Sequence, residues 1–264
     1  MKVKVIIKSA IKGVKFFFFF CILISLNTEV IAQSTIDSSI VSTKYTGNIG
    51  ITNNGFSIVP TFSFNSPAII SQMSWKKNKF SIEPDIRLAP DGTKGSILLW
   101  FRYNLINTSK FSLRSGIHPA VNWFPKNILI NENVTEIYQL RRFLAWELAP
   151  NIKINNHFNT GVYYLQGNGL QQDGARTSHF VNFYLGMSNI NLGKQLKLNF
   201  VPSFYYLYLD KKEGTYFTAT SSINHKKYPF SLQSTINKTI QTSIEGGKDF
   251  LWNIAFVHFL NTKK

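Results

Sequence analysis

Eight side chains carry most of the chemical potential of this chain: Glu83, Asp85, Arg87, Arg102, Arg114, His118, Arg141 and Glu147. If acidic and basic rows face each other across an enclosed space, they set up a transverse field that selects small charged solutes, and an excess of Arg favours anions. The same groups equally suit structural ion pairs that fill a narrow interior. Residue types alone leave both readings open. For nucleophilic chemistry the candidates are Ser178-His179 and His118. Neighbouring residues of a strand point to opposite faces, so Ser178 and His179 do not meet if one strand holds both. His118 shares a polar face with Arg114, where an ordinary hydrogen-bonding role suffices, and no serine-hydrolase motif surrounds it. His157, His225 and His258 have no second ligand at metal spacing. Asp91-Gly92, Asn168-Gly169 and Asp173-Gly174 read as turns, and no phosphate or dinucleotide fingerprint is present. Catalytic residues, metal and cofactor are therefore expected to be absent.

The element that must position the first three charges is Lys79–Leu88. Phe80, Ile82, Pro84, Ile86 and Leu88 alternate with Ser81, Glu83, Asp85 and Arg87, so an extended strand has one greasy and one charged face. About twelve such strands are expected, over 55–64, 68–76, 79–88, 95–106, 110–121, 137–149, 157–166, 179–190, 195–209, 214–224, 228–240 and 249–260. Most match or slightly exceed the roughly 9–11 residues that a tilted strand needs to cross a bilayer. In 195–209, Leu196, Leu198, Phe200, Phe204, Tyr206 and Tyr208 oppose Lys197, Asn199 and Ser203. The strand at 214–224 is patterned most weakly.

The N-terminus argues for export. Lys2, Lys4, Lys8, Lys12 and Lys15 precede an apolar run from Phe16 to Leu26, and Val30-Ile31-Ala32 fits cleavage before Gln33. Residues 1–32 are thus expected to be a cleaved signal peptide, 33–54 an N-terminal lead and 55–264 the folded domain. The lead is weakly patterned, with a short strand possible around Tyr45–Ile51. Cys21 would leave with the signal, and a disulfide scaffold or thiol chemistry would leave with it. Removing five lysines and one acid lowers the formal charge from +16 to +12. In an exported, aromatic-rich strand protein that charge favours an anionic membrane surface or anionic solutes over nucleic acid. After the signal no apolar run reaches the length of a helical span. A closed barrel is then the structure that crosses lipid with its backbone satisfied. The alternative is a secreted soluble β-sandwich, whose polar faces would meet bulk water.

Loop lengths add a second signal. One set of connections is short, around Lys76-Lys77-Asn78, Asn107-Thr108-Ser109, Pro150–Asn156, Asn191–Lys194 and His225-Lys226-Lys227. The other set holds the long ones, Asn122–Glu136, Gln166–Ser178 and Gln241–Lys248. Transmembrane barrels show this asymmetry and an even strand number. The last strand places Trp252, Ile254, Phe256, His258 and Leu260 on one face. With this terminal strand the chain resembles bacterial outer-membrane β-barrel proteins, most closely the single-barrel type of Bacteroidota. The resemblance implies a transmembrane antiparallel up-and-down barrel in the outer membrane, with lipids and the barrel assembly machinery as its partners. It implies no particular activity.

Lysines on the short turns, above all Lys76, Lys77, Lys226 and Lys227, would form a cationic rim against anionic headgroups. Plain turn solubility explains them equally well. Trp75, Trp123, Trp146, Tyr163, Tyr164, Tyr205, Tyr206, Tyr208 and Trp252 are expected in aromatic girdles on the outside. The function expected is structural or passive passage of small solutes, anionic ones included. The runner-up is a closed barrel acting as a binding or assembly module through its long loops, and a lipid-modifying enzyme comes third.

Overall fold

The computed structural model describes residues 43–130, 132–171 and 174–261. The signal segment with Cys21, and the lead up to residue 42, lie outside the described residues. Twelve antiparallel strands follow in chain order: β1 (Thr43–Thr52), β2 (Ala68–Lys77), β3 (Phe80–Leu88), β4 (Gly95–Asn107), β5 (Phe111–Ile130), β6 (Asn133–Lys153), β7 (Phe158–Gly169), β8 (Thr177–Leu192), β9 (Leu196–Leu209), β10 (Lys212–His225), β11 (Phe230–Thr242) and β12 (Phe250–Asn261). Each strand pairs with its sequence neighbours, and β1 pairs with β12 to close the barrel. Thr46 faces Asn261 and Thr52 faces Ala255 across that seam. Closure leaves no edge strand, which is what a sheet needs if it is to stand in lipid.

The alternation seen in the sequence sorts the side chains. In β9 Ser203, Tyr205 and Leu207 are buried, whereas Phe204 and Tyr206 are exposed. In β12 Leu251, Asn253, Ala255 and Val257 point inward, and Trp252, Ile254 and Phe256 lie about half exposed on the outside. All twelve strands contribute exposed large apolar side chains, among them Ile49, Met73, Leu88, Ile97, Ile117, Leu144, Phe158, Phe183, Ile223 and Leu232. An apolar coat of that extent with a polar interior matches a transmembrane barrel and not a soluble sandwich. At the short-turn end Tyr45 pairs with Trp75, and on the outer wall Trp146 packs edge-on against Tyr164 at 5.1 Å.

Two corrections to the sequence reading concern the first strand and the longest loop. Residues 55–64 form no strand, and Val59, Phe56 and Thr61 are buried. The wall strand is instead 43–52, within the stretch read as a lead. Gly55 bonds back to Ser66 and Phe64 back to Gly55, so the segment turns inward, and its apolar residues fill the interior. The strand count stays at twelve because one strand was gained as another was lost. Asn122–Glu136 is likewise no loop. β5 and β6 run on as a hairpin to Ile130 and Asn133, while their outer neighbours stop at Gly95 opposite Trp123 and at Gly169 opposite Phe143. Phe124–Ile130 therefore projects past the wall by roughly 23 Å, at about 3.3 Å per residue.

The two ends of the barrel differ as expected. Turns such as 78–79, 108–110, 154–157, 193–195 and 226–229 close one end, while 53–67, 89–94, 170–176 and 243–249 connect strands at the other. Tightness at the short end relies on residues that accept the left-handed region: Asn78 has φ 55° and Gly193 φ 71°.

Candidate functional site

Sequence parity puts Glu83, Asp85 and Arg87 of β3 on the inner face, and the structure places them there. Opposite them on β4 stand Trp100, Leu98 and Ser96, and Arg102 stands opposite Ser81. Register then sets Gly116 of β5 beside Arg102, and Glu147 of β6 beside Gly116. Gly116 matters because a Cβ there would stand 2.9 Å from the Arg102 side chain and 3.3 Å from that of Glu147. Across this gap Arg102 donates Nε to Glu147 Oε1 at 2.9 Å and Nη2 to Oε2 at 3.1 Å. Arg114 Nε donates to the same Oε1 at 2.8 Å, and Tyr163 OH to Oε2 at 2.9 Å. Arg102 also pairs with Glu83, whose other oxygen accepts Ser81 Oγ at 2.7 Å. Fully buried, Glu147 is the hub of this network. A buried carboxylate needs this many charge-assisted donors to offset its desolvation.

A second pair stands above it. Arg87 holds Asp85 with two bonds of 2.8 Å, Gln72 Nε2 adds a third at 2.9 Å, and Arg87 also donates to the Phe56 carbonyl. Lys94 Nζ reaches the Phe64 carbonyl at 2.8 Å. Two cations thus tether the inturned 53–67 segment to the wall.

Around these charges lies an apolar core. Val59, Trp100, Ala145, Leu165, Phe180, Tyr205, Leu207, Tyr216 and Ile244 form one cluster, with Ile58, Leu98 and Tyr163 packed on it. Tyr205 stacks on Tyr216 at 4.7 Å and donates to Asn237 Oδ1 at 2.7 Å. Tyr163 and Tyr205 are therefore interior residues and not girdle members, because β7 and β9 put their odd-numbered residues inside. The other expected girdle positions fall on outward rows. Trp100 shares the inward parity of Arg102 on β4, which the sequence carried, whereas Tyr216 lies on the weakly patterned β10, where parity gave no direction.

Two spaces inside the described barrel border these residues. The one toward the short-turn end has a volume of about 540 Å3 and is bordered by Glu83, Asp85, Arg87 and Arg102, so its charges nearly balance. The one toward the long-loop end has about 800 Å3 and is bordered by His118, Arg141, Leu98, Phe180, Leu207 and the 57–65 segment. His118 lies against Trp100, ring centroids 3.9 Å apart, and neither ring nitrogen has a hydrogen-bond partner. Arg141 lies over the Phe124 ring at 4.9 Å. Of the eight interior candidates, six join the two ion-pair groups, while His118 and Arg141 border the larger space.

Ser178 faces inward, its Oγ 3.4 Å from the Gly167 carbonyl, and His179 faces outward, bonded to Tyr164 OH at 2.8 Å. They stand on opposite sides of the wall. Among the described residues no group of three or more His, Cys, Asp or Glu is placed to hold a metal. Lys76 is half-buried, and Lys77, Lys226 and Lys227 are exposed at the short-turn end. Among the described residues no carboxylate lies at that end: Asp91, Glu132, Glu136, Asp210, Glu213, Glu245 and Asp249 sit at the opposite end, and the remaining acids are interior.

No protein-family model matches the chain, and no curated protein matches it. Among solved structures, LpxR from Salmonella typhimurium is similar at 12% identity, over 81% of this chain and 100% of its own, with a TM-score of 0.43. The NanC porin is similar at 13% identity over 84% of this chain and 100% of its own, TM-score 0.45. OmpT of Vibrio cholerae is similar at 6% identity over 86% and 100%, TM-score 0.43. At these identities and TM-scores the likeness assigns no role to any residue. The closed wall, apolar coat and polar-hubbed interior of this chain are themselves those of an outer-membrane β-barrel.

Proposed function

We propose that this outer-membrane barrel is a closed, non-conducting binding module that works through its long-loop end, facing the cell exterior. One observation carries the reading. Inward side chains from five strands, Trp100, Glu147, Leu207, Tyr216 and Asn237, are out of reach of solvent. In a water-filled pore the lumen-facing residues are wetted; here the ion-pair hub and the aromatic layer occupy the section where a channel would narrow. The passive-channel reading, including its preference for anions, retains the two spaces on either side of that layer. A lipid-modifying enzyme has less support, since Ser178 and His179 face apart and no serine bonds to His118.

The test is single-channel conductance of the purified, signal-free protein in a planar bilayer. Silence from protein shown to be inserted is expected. Stable conductance steps that change ion selectivity on substituting Arg102 or Arg141 would restore the channel.

The short-turn end then faces the periplasm, in keeping with the short periplasmic turns and longer outside loops of such barrels. Its lysine rim meets anionic phospholipid headgroups at roughly 1 kcal/mol per lysine. Changing Lys76, Lys77, Lys226 and Lys227 to Glu should slow insertion into anionic vesicles and leave insertion into neutral ones unchanged. An equal loss in both would reduce the rim to turn solubility.

A further inference from the structure

Resting on the closed-barrel reading, we infer that the larger interior space is a binding site for an amphiphilic anion: a carboxylate, sulfonate or phosphate head on an apolar tail. The volume of about 800 Å3 falls in the range of small-molecule pockets. Its walls divide into two chemistries. Leu98, Phe143, Leu165, Phe180, Leu207 and Leu209 supply an apolar lining, which suits a tail and gives no polar solute a partner. The polar part is one-sided in charge. Lys94 borders the space together with Arg141, and among the described residues no acid does; Arg87 borders it too, its charge already matched by Asp85. The other interior space differs on this point, since Glu83 and Asp85 border it together with Arg87 and Arg102.

Polar atoms in this space also lack partners. His118 is 4% exposed, borders the space, and has neither ring nitrogen hydrogen-bonded. Buried polar atoms in native proteins are almost always satisfied, so an orphaned donor facing a cavity marks a place for a ligand. His118 donates a ring N–H to an anionic oxygen in this arrangement. Because Trp100 backs the imidazole on its other face at 3.9 Å, the ring is held in place before a ligand arrives. The 57–65 segment, Lys94 and Gly246 border the space, which puts it at the long-loop end.

The experiment measures binding of decanoate to the full mature barrel in neutral-lipid nanodiscs by ligand-observed NMR, with empty nanodiscs subtracted. Neutral decanol and cationic decyltrimethylammonium serve as comparisons. Saturable decanoate binding is expected, with both comparison probes at least about tenfold weaker, the loss of a charge-assisted hydrogen bond being worth that factor. His118→Leu and Lys94→Gln should each weaken decanoate several-fold. Ala120→Trp fills the space and leaves every charged residue in the sequence and should abolish binding, while Lys227→Gln at the far end should leave it unchanged. Circular dichroism and heat-modifiable gel mobility confirm that each variant is folded. Equal binding of all three probes would overturn the anion assignment, and no binding of any would overturn the site. Conductance recorded on the same preparation separates the two readings. A silent barrel that ignores decanoate refutes the site alone, whereas a conducting barrel that binds it refutes closure alone.

Discussion

Replacing Glu147 with alanine should lower the unfolding free energy by about 3–5 kcal/mol, the cost of stranding a buried charge by removing its partner. Glu147 is fully buried and accepts from Arg102 twice, from Arg114 and from Tyr163. Its removal takes this counter-charge from two guanidinium groups. Arg114 is the more exposed of the two, with 39% of its side chain accessible against 15% for Arg102. The cost therefore falls mainly on Arg102, which keeps Glu83 alone. Glu147→Gln preserves shape and two lone pairs, and should cost about 2 kcal/mol, near the value of hydrogen bonds to charged groups. Combining Glu147→Leu with Arg102→Met, Arg114→Leu and Glu83→Gln, so that no member of the set is left charged, should recover much of the loss, because a whole buried ionic set is often replaced by apolar residues without penalty. Urea titration of the barrel in detergent, followed by tryptophan fluorescence, reads all three. If Glu147→Ala unfolds within about 1 kcal/mol of the parent, the hub does not hold the interior together.

The second large effect is functional gain. Trp100→Ala with Tyr205→Ala removes two inward rings that are almost wholly buried and lie on different strands. Each truncation should cost about 3–5 kcal/mol, as large aromatic-to-alanine changes in packed cores do. The barrel wall is unaffected, since its backbone ladder does not depend on these side chains. Conductance should then appear in a protein that is silent as the parent. Phe256→Ala with Trp252→Ala, two outward aromatic residues on β12, should leave it silent. Continued silence of the Trp100/Tyr205 variant, with insertion verified, would mean that the ion pairs and the 53–67 segment obstruct the barrel by themselves.

How much of this was legible in the sequence depends on which physical signal each feature uses. Strand parity is local and strict. Residues 80–88 and 196–208 therefore gave the inward charges and outward apolar rows correctly, and the short turns at 76–78 and 225–227 fixed one end of the barrel. Pairing between Arg102 and Glu147 could not be read, because it depends on register across two strand interfaces, and alternation within one strand carries no register information. The inturned 55–64 segment was misread for a related reason. Phe56, Ile58 and Val59 have the composition of a strand, yet their apolar surface is satisfied by the barrel interior and not by lipid. Residues 43–52, rich in Thr, Gly and Asn, look too polar for a wall until their neighbours on β2 and β12 are known. Asn122–Glu136 was read as a long connection, whereas β5 and β6 stay paired out to Ile130 and Asn133.

The seam between β1 and β12 makes this protein a single loop in the topological sense. Its closing contact joins Thr46 to Asn261, across nearly the whole described chain, whereas the other pairings join strands adjacent in sequence. Hairpins can therefore accumulate one after another as the chain becomes available, but the cylinder exists only once the two outermost strands meet. Shortening the sequence at either of those strands does not yield a narrower cylinder. It yields an open ribbon with two unpaired borders, each bearing backbone groups that hydrocarbon cannot satisfy. Wholeness is thus a condition for residence in the bilayer, and an incomplete copy is marked by its own exposed borders.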